Sequence, residues 1–246
     1  VNGVTLSAPA GSMLALVGPS GAGKTTLFSL LERFYEVEGG AIRLKGRDLR
    51  DWPLAALRAQ IGYVEQDAPI LAGTLRDNLL LAAPAASEAD IEEVLVEARL
   101  DDLVAALPDG LETQVGERGV TLSGGQRQRV AIARALATDP RVLILDESVA
   151  ALDVSIQAQV LNVLADIRDE RGISYILISH DLAVVRQLTE DAIVMQRGIV
   201  VERGATGEIL DDPKNAYTQL LRASVPGPGW KPQRMRERLL GAQAAE

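Results

Sequence analysis

Nine residues, GPSGAGKTT from Gly18 to Thr26, constrain this chain more than any other stretch. They follow the apolar run Met13-Leu14-Ala15-Leu16-Val17 and open onto Leu27-Phe28-Ser29-Leu30-Leu31, whose spacing is helical. Strand, glycine-rich loop and helix in that order are the setting in which backbone amides converge on a phosphate. Gly18, Gly21 and Gly23, with Pro19, Ser20 and Ala22 between them, let the backbone turn tightly with its N–H groups unhindered. A helix beginning near Lys24 aims the positive end of its dipole at the same anion. Lys24 is placed to reach the outer phosphates, and Thr25, followed by Thr26, offers a hydroxyl to Mg²⁺. The alternative is a glycine-rich turn in an unrelated α/β domain, against which the flanking strand and helix both argue.

The remaining chain is consistent with one large α/β domain carrying a helical insertion, an expectation its 246 residues allow. Val1 to Leu6 alternates weakly and reads as the tail of a strand. Ile61-Gly62-Tyr63-Val64 reads as a buried strand ending at Glu65-Gln66. Between about residues 67 and 137 the periodicity turns helical, with Ile91, Val94, Leu95 and Ala98 on one face and Ser87 and Asp90 as a capping box before it. Val142 to Leu145 and Tyr175 to Ile178, the latter leading into Ser179, are continuous apolar runs, the signature of strands buried on both faces of a parallel sheet. Ala192 to Val201 reads as a hairpin turning at Arg197-Gly198, and Pro226-Gly227-Pro228-Gly229 closes the compact part. The domain is thus expected over residues 1–222, with a tail over 223–246.

Composition excludes several functions. No cysteine is present, so thiol chemistry and cysteine-held metals are absent. A net charge of −9 opposes wrapping a nucleic-acid backbone, and no nucleic acid is expected as a partner. No apolar run approaches the ~20 residues that span a bilayer, and the chain reads as soluble and intracellular.

Three further motifs lie downstream in order. LSGGQRQR, Leu122 to Arg129, precedes an amphipathic helix; Ser123, Gly124, Gly125 and Gln126 form a second anion-binding helix start. Asp146 and Glu147 end the apolar strand, where ligands bind in open α/β sheets. A carboxylate there can accept a proton from water, whereas a solvated acidic pair in a turn would do nothing. His180, the only histidine, ends the next apolar strand; a lone histidine is more often structural.

With these residues the sequence resembles the ATP-binding cassette (ABC) family over nearly its whole length. The resemblance implies a P-loop core with a mostly parallel sheet, an antiparallel β-subdomain and an inserted helical subdomain. It implies ATP and Mg²⁺ as cofactors and an ATP-dependent head-to-tail homodimer. In that dimer the loop around Lys24 of one copy faces Ser123-Gly124-Gly125 of the other. Asp146 then orients Mg²⁺ through water, Glu147 polarises the attacking water, His180 contacts the γ-phosphate, and Gln66 reaches Mg²⁺ and the water. Ala151-Leu152-Asp153 matches the loop that contacts the opposite subunit. Transmembrane transporter subunits are the implied partners, which would hold the domain at the cytoplasmic face of the membrane.

The sequence departs from the family pattern at three places. No aromatic residue precedes the phosphate loop to stack on adenine, so the β-subdomain reads as lacking its first strand or two. Ser148 and Ala150 stand where many members carry Pro or Ala and Ser. The segment from Gly62 to Arg129, including Val115-Gly116-Glu117-Arg118-Gly119, looks like an exporter cassette. The segment from about Asp153 onward, with LDVSIQAQVLNVL, ISHDLAVVRQL and NAYTQLLRASVP, looks like a di- or oligopeptide importer cassette. A chain joined from two members between Arg134 and Asp153 is one reading, and a natural cassette of mixed features the other. Beside the transport motor, a non-transport ABC ATPase and a folded chimera that binds nucleotide without driving transport are the competing functions.

Overall fold

Residues of odd and even number in the central strands belong to two different cores. Met13, Ala15 and Val17 join one apolar cluster with Leu143, Leu145, Tyr175 and Leu177. Leu14 and Leu16 join the other with Ile144, Ile176 and Ile178. Successive side chains of a strand point to opposite faces, so a sheet covered on both sides demands apolar residues at every position. That demand produces the continuous runs in the sequence.

The computed structural model describes residues 1–116, 119–150 and 152–224. From the amino end come β1 (Met13–Val17), α1 (Lys24–Leu31), β2 (Arg43–Leu44), β3 (Arg47–Asp48), α2 (Leu54–Arg58) and β4 (Ile61–Val64). The middle adds β5 (Gly73–Thr74), α3 (Leu75–Leu80), α4 (Glu88–Glu97), α5 (Asp101–Ala106), β6 (Gln114–Val115) and α6 (Gly124–Leu136). There follow β7 (Val142–Asp146), α7 (Val154–Arg171), β8 (Ser174–Ile178), α8 (Leu182–Leu188) and β9 (Asp191–Gln196). β10 (Ile199–Ala205), α9 (Thr206–Asp211) and α10 (Ala216–Ala223) come last.

The fold is α/β. Six strands form one sheet in the order β10-β9-β1-β8-β7-β4, with every neighbouring pair parallel except β9 and β10. Those two meet at Arg197 (φ 51°) and Gly198 (φ 82°), the left-handed pair of a tight hairpin turn. Helices α3, α4, α6, α7, α8 and α9 contribute to the first core, while α1 and α2 cover the other face with Leu27, Phe28 and Leu57. The β2–β3 hairpin is antiparallel, as is the short β5–β6 pair. Capping boxes at Thr74/Asp77, Ser87/Asp90 and Ser123/Gln126 start α3, α4 and α6, and Gly172 (φ 63°) ends α7.

One expectation fails. Val1 to Leu6 forms no strand; the Asn2 N–H donates to the Gly198 carbonyl (2.8 Å), and Arg203 donates to the Thr5 carbonyl. Weak alternation does not make a strand where no ladder of backbone partners runs beside it. Glu117 and Arg118 of the exporter-like loop and Ala151 of the loop expected to contact the opposite subunit lie outside the described residues, as do residues 225–246 of the expected tail.

Candidate active site at the carboxyl edge of the sheet

Because β1, β4, β7, β8 and β9 run in the same direction, their carboxyl ends share one edge of the sheet. Topology alone therefore brings the phosphate loop after β1, Gln66 after β4, Asp146-Glu147 at the end of β7 and His180 after β8 to that edge. Ligands of open α/β sheets bind there.

The loop is built tightly against β9. A Cβ at Gly18 would lie 2.3 Å from the Met195 carbonyl oxygen, a contact backbone cannot yield to, so only glycine fits. Ala22 is buried, and its carbonyl accepts from the Gly198 N–H at 3.0 Å, pinning the loop to the β9–β10 turn. Gly23 caps α1 at φ 97° and brings no side chain to the first turn, which carries no acidic residue. The leading amides of α1 thus have no side-chain acceptor and face the sheet edge. Lys24 is buried, and its ammonium donates to the carbonyls of Gly18 (2.7 Å) and Pro19 (2.9 Å). Burial pulls its pKa below the ordinary lysine value, opposed by the carboxylates of Glu147 and Asp146. Pro19, Ser20, Gly21, Thr25 and Thr26 are exposed.

The acidic side is equally particular. Glu147 has φ 46°, a left-handed conformation unusual for a residue with a long side chain, and its N–H donates to the Ile178 carbonyl at 3.0 Å. That turn sets Glu147 Oε2 3.2 Å from His180 Nδ1, with the imidazole largely exposed. Tyr63, on the neighbouring strand, donates its hydroxyl to Asp146 Oδ2 at 2.7 Å. Burial, reinforced by that hydrogen bond, raises the Tyr63 hydroxyl well above the usual phenol range.

The remaining parts of the expected site are Gln66 and the helix start from Ser123 to Gln126. Gln66 is exposed at the end of β4. Ser123, Gly124, Gly125 and Gln126 make no hydrogen bond or ion pair with the Lys24 group among the described residues; Gly124 and Gly125 pack instead toward Leu152 and Ile156. Ser123 Oγ accepts from the Gln126 N–H, and Gln126 Oε1 accepts from the Ser123 N–H at 2.8 Å. One chain therefore presents two separate glycine-containing helix starts.

Sequence reasoning missed Tyr63 and Arg134. The Arg134 guanidinium, on α6, donates to the carbonyls of Asn78 (2.8 Å) and Pro69 (3.1 Å) and to Asn78 Oδ1 (3.0 Å). Buried Asn78 in turn binds Leu71 N–H and the carbonyls of Leu71 and Thr74. The segment that leaves Gln66 is thereby tied to the helix that starts at Gly124.

These residues suit a magnesium nucleotide. Among the described residues no group of three His, Cys, Asp or Glu could hold a metal alone. Mg²⁺ in nucleotide sites needs no such cage, because substrate phosphates and water complete a shell begun by one hydroxyl and one carboxylate. Thr25 and Asp146 could supply that pair.

The ABC transporter family model matches residues 1–150. The chain belongs to the ABC transporter family. An uncharacterised ABC transporter ATP-binding protein, YwjA of Bacillus subtilis, is 43% identical over 211 residues, 86% of this chain and 36% of that protein. An ATP-dependent lipid A-core flippase of Photobacterium profundum is 40% identical over 220 residues, 89% of this chain and 37% of that one. The structure of a bacterial Atm1-family ABC exporter with ATP bound superposes with a TM-score of 0.77 at 36% identity, covering 89% of this chain and 38% of the exporter. This ABC chain thus spans little more than a third of the length of these relatives. ATP-binding domains of the family are ATPases, and no described helix here is long and apolar enough to cross a membrane.

Proposed function

We propose that this chain is the ATP-hydrolysing motor domain of an ABC transporter of exporter type, with residues about 67–137 as the helical subdomain that meets transmembrane partners. The observation that carries it is the uncapped start of α1 with Lys24 beneath it, set beside a carboxylate pair at one sheet edge. The leading amides of α1 bind the phosphate tail of ATP, and Lys24 exchanges the carbonyls of Gly18 and Pro19 for phosphate oxygens. Thr25 and Asp146 hold Mg²⁺, which when bound neutralises charge on the outer phosphates. Glu147 accepts a proton from the water that attacks the γ-phosphorus as the bond to the ADP oxygen breaks. His180 fixes the Glu147 carboxylate and reaches toward the γ-phosphate, and Gln66 orients the water.

Ser123 to Gln126 serve the nucleotide of a second copy in a head-to-tail dimer, whose closure the partners convert into movement at the cytoplasmic face of the membrane. The resemblance of the relatives to exporters and a flippase supports this direction. Alignments to single relatives run over 211 and 220 of 246 residues and so pass through the interval 134–153. That favours a natural cassette of mixed features over a join of two members.

Phosphate release from Mg-ATP tests the reading. Glu147→Gln should retain ATP while turnover falls at least ~100-fold, the scale of a lost general base; undiminished hydrolysis would reject the assignment.

A further inference from the structure

Tyr63 lies on β4, next to β7, in register with Ile144. Asp146 is the next residue of β7 on the same face as Ile144, one two-residue step (about 6.6 Å) nearer the carboxyl edge. A tyrosine leaning along its strand spans that step, and its hydroxyl reaches Asp146 Oδ2 at 2.7 Å, a distance typical of a hydrogen bond to an ionised carboxylate. The ring cannot swing away freely: Phe28 of α1 meets it edge-on, centroids 6.3 Å apart and planes at 79°. Tyr63 is thus held by the helix that carries Lys24 and Thr25, sits three residues before Gln66, and grips the acid on the next strand.

We propose that Tyr63 is a positioning residue for divalent-cation binding: its hydroxyl immobilises Oδ2 of Asp146, leaving Oδ1 directed to the cation's water shell. The proposal rests on the ATPase reading of this site. Lys24 supplies the competing attraction, since its ammonium feels the charge of Asp146. Without the tyrosine hydroxyl the carboxylate is free to turn toward Lys24 and away from the cation. Groups that orient a metal-site carboxylate typically govern metal affinity by 10–100-fold. A tyrosine that merely satisfied its own buried hydroxyl would have no such effect.

The test uses the full chain, a non-hydrolysable ATP analogue and Mn²⁺ as a paramagnetic probe. Tyr63→Phe keeps the ring against Phe28 and removes only the hydroxyl. Analogue affinity without metal should stay within about twofold of wild type, while Mn²⁺ affinity of the nucleotide complex, read by electron paramagnetic resonance, should weaken by about tenfold. Phe28→Leu, which keeps the hydroxyl but loosens the ring, should weaken it by a smaller factor, about threefold. This variant decides the matter if Tyr63→Phe folds poorly. Mn²⁺ affinity unchanged in both variants while Asp146→Asn weakens it would overturn the role of Tyr63 and leave the nucleotide site standing. Wild-type protein that binds neither analogue nor Mn²⁺ would remove the ATPase reading and this proposal together.

Discussion

The helix starts at Gly23 and at Ser123 are built in opposite ways. α1 begins at Gly23 with no side-chain cap and no acid in its first turn, over a buried lysine. α6 begins at Ser123 with a complete capping box, its serine and glutamine satisfying each other's backbone. Orphan amides at a helix start need an acceptor. The first start therefore leaves its leading amides to water or an anion, whereas the capping box of the second already satisfies the Ser123 and Gln126 amides and partly commits the serine lone pairs. The difference suits a site that binds nucleotide first and alone, followed by a second that engages only when another copy arrives.

The largest effect expected from this contrast is at Lys24. Lys24→Ala removes the buried cation beneath the uncapped amides and should weaken nucleotide binding by about 10- to 100-fold, the worth of a charge-assisted hydrogen bond. Calorimetry reads it, and an unchanged affinity would break the comparison. Gly125→Ala comes next. Its Cβ would stand 2.5 Å from Ile156 Cγ2, and a shift of that packing should cost about 1–3 kcal/mol in denaturant unfolding. Nucleotide binding by the monomer should be spared, because this residue belongs to the other helix start. Ser123→Ala should cost about 1 kcal/mol through the lost cap. Its ATP turnover should fall further than that stability loss explains, and Ser123→Thr should restore both.

The smallest effect concerns acid. Asp77 and Asp90 are held below the usual aspartate range by the N–H groups of Thr74 and Ser87. Their stabilisation is fully present above the unfolded value of about 3.9 and is lost as pH falls through the lower folded value. Thermal unfolding of Asp90→Ala should accordingly differ from wild type at neutral pH and converge with it in strong acid.

Much of this was legible from residues alone. Parallel strands buried on both faces announced themselves as apolar runs, and capping residues announced α4. Position along the chain also placed Lys24, Asp146, Glu147 and His180 at strand ends, which the parallel sheet gathers at one edge. The partners across the sheet were not legible. Tyr63 reads as one more buried strand residue until β4 is known to lie beside β7, and Arg134 reads as part of a helix until Pro69 and Asn78 are seen beneath it. Val1 to Leu6 misled for the same reason, since alternation reports a face and says nothing of a neighbour.

In the proposed motor the second helix start meets the nucleotide of another copy. Sedimentation of Glu147→Gln with saturating Mg-ATP measures that directly. The species should double in mass with ATP, stay single with ADP, and stay single with ATP when Ser123→Ala is added. A single-mass species that nonetheless holds ATP at high protein concentration would contradict it.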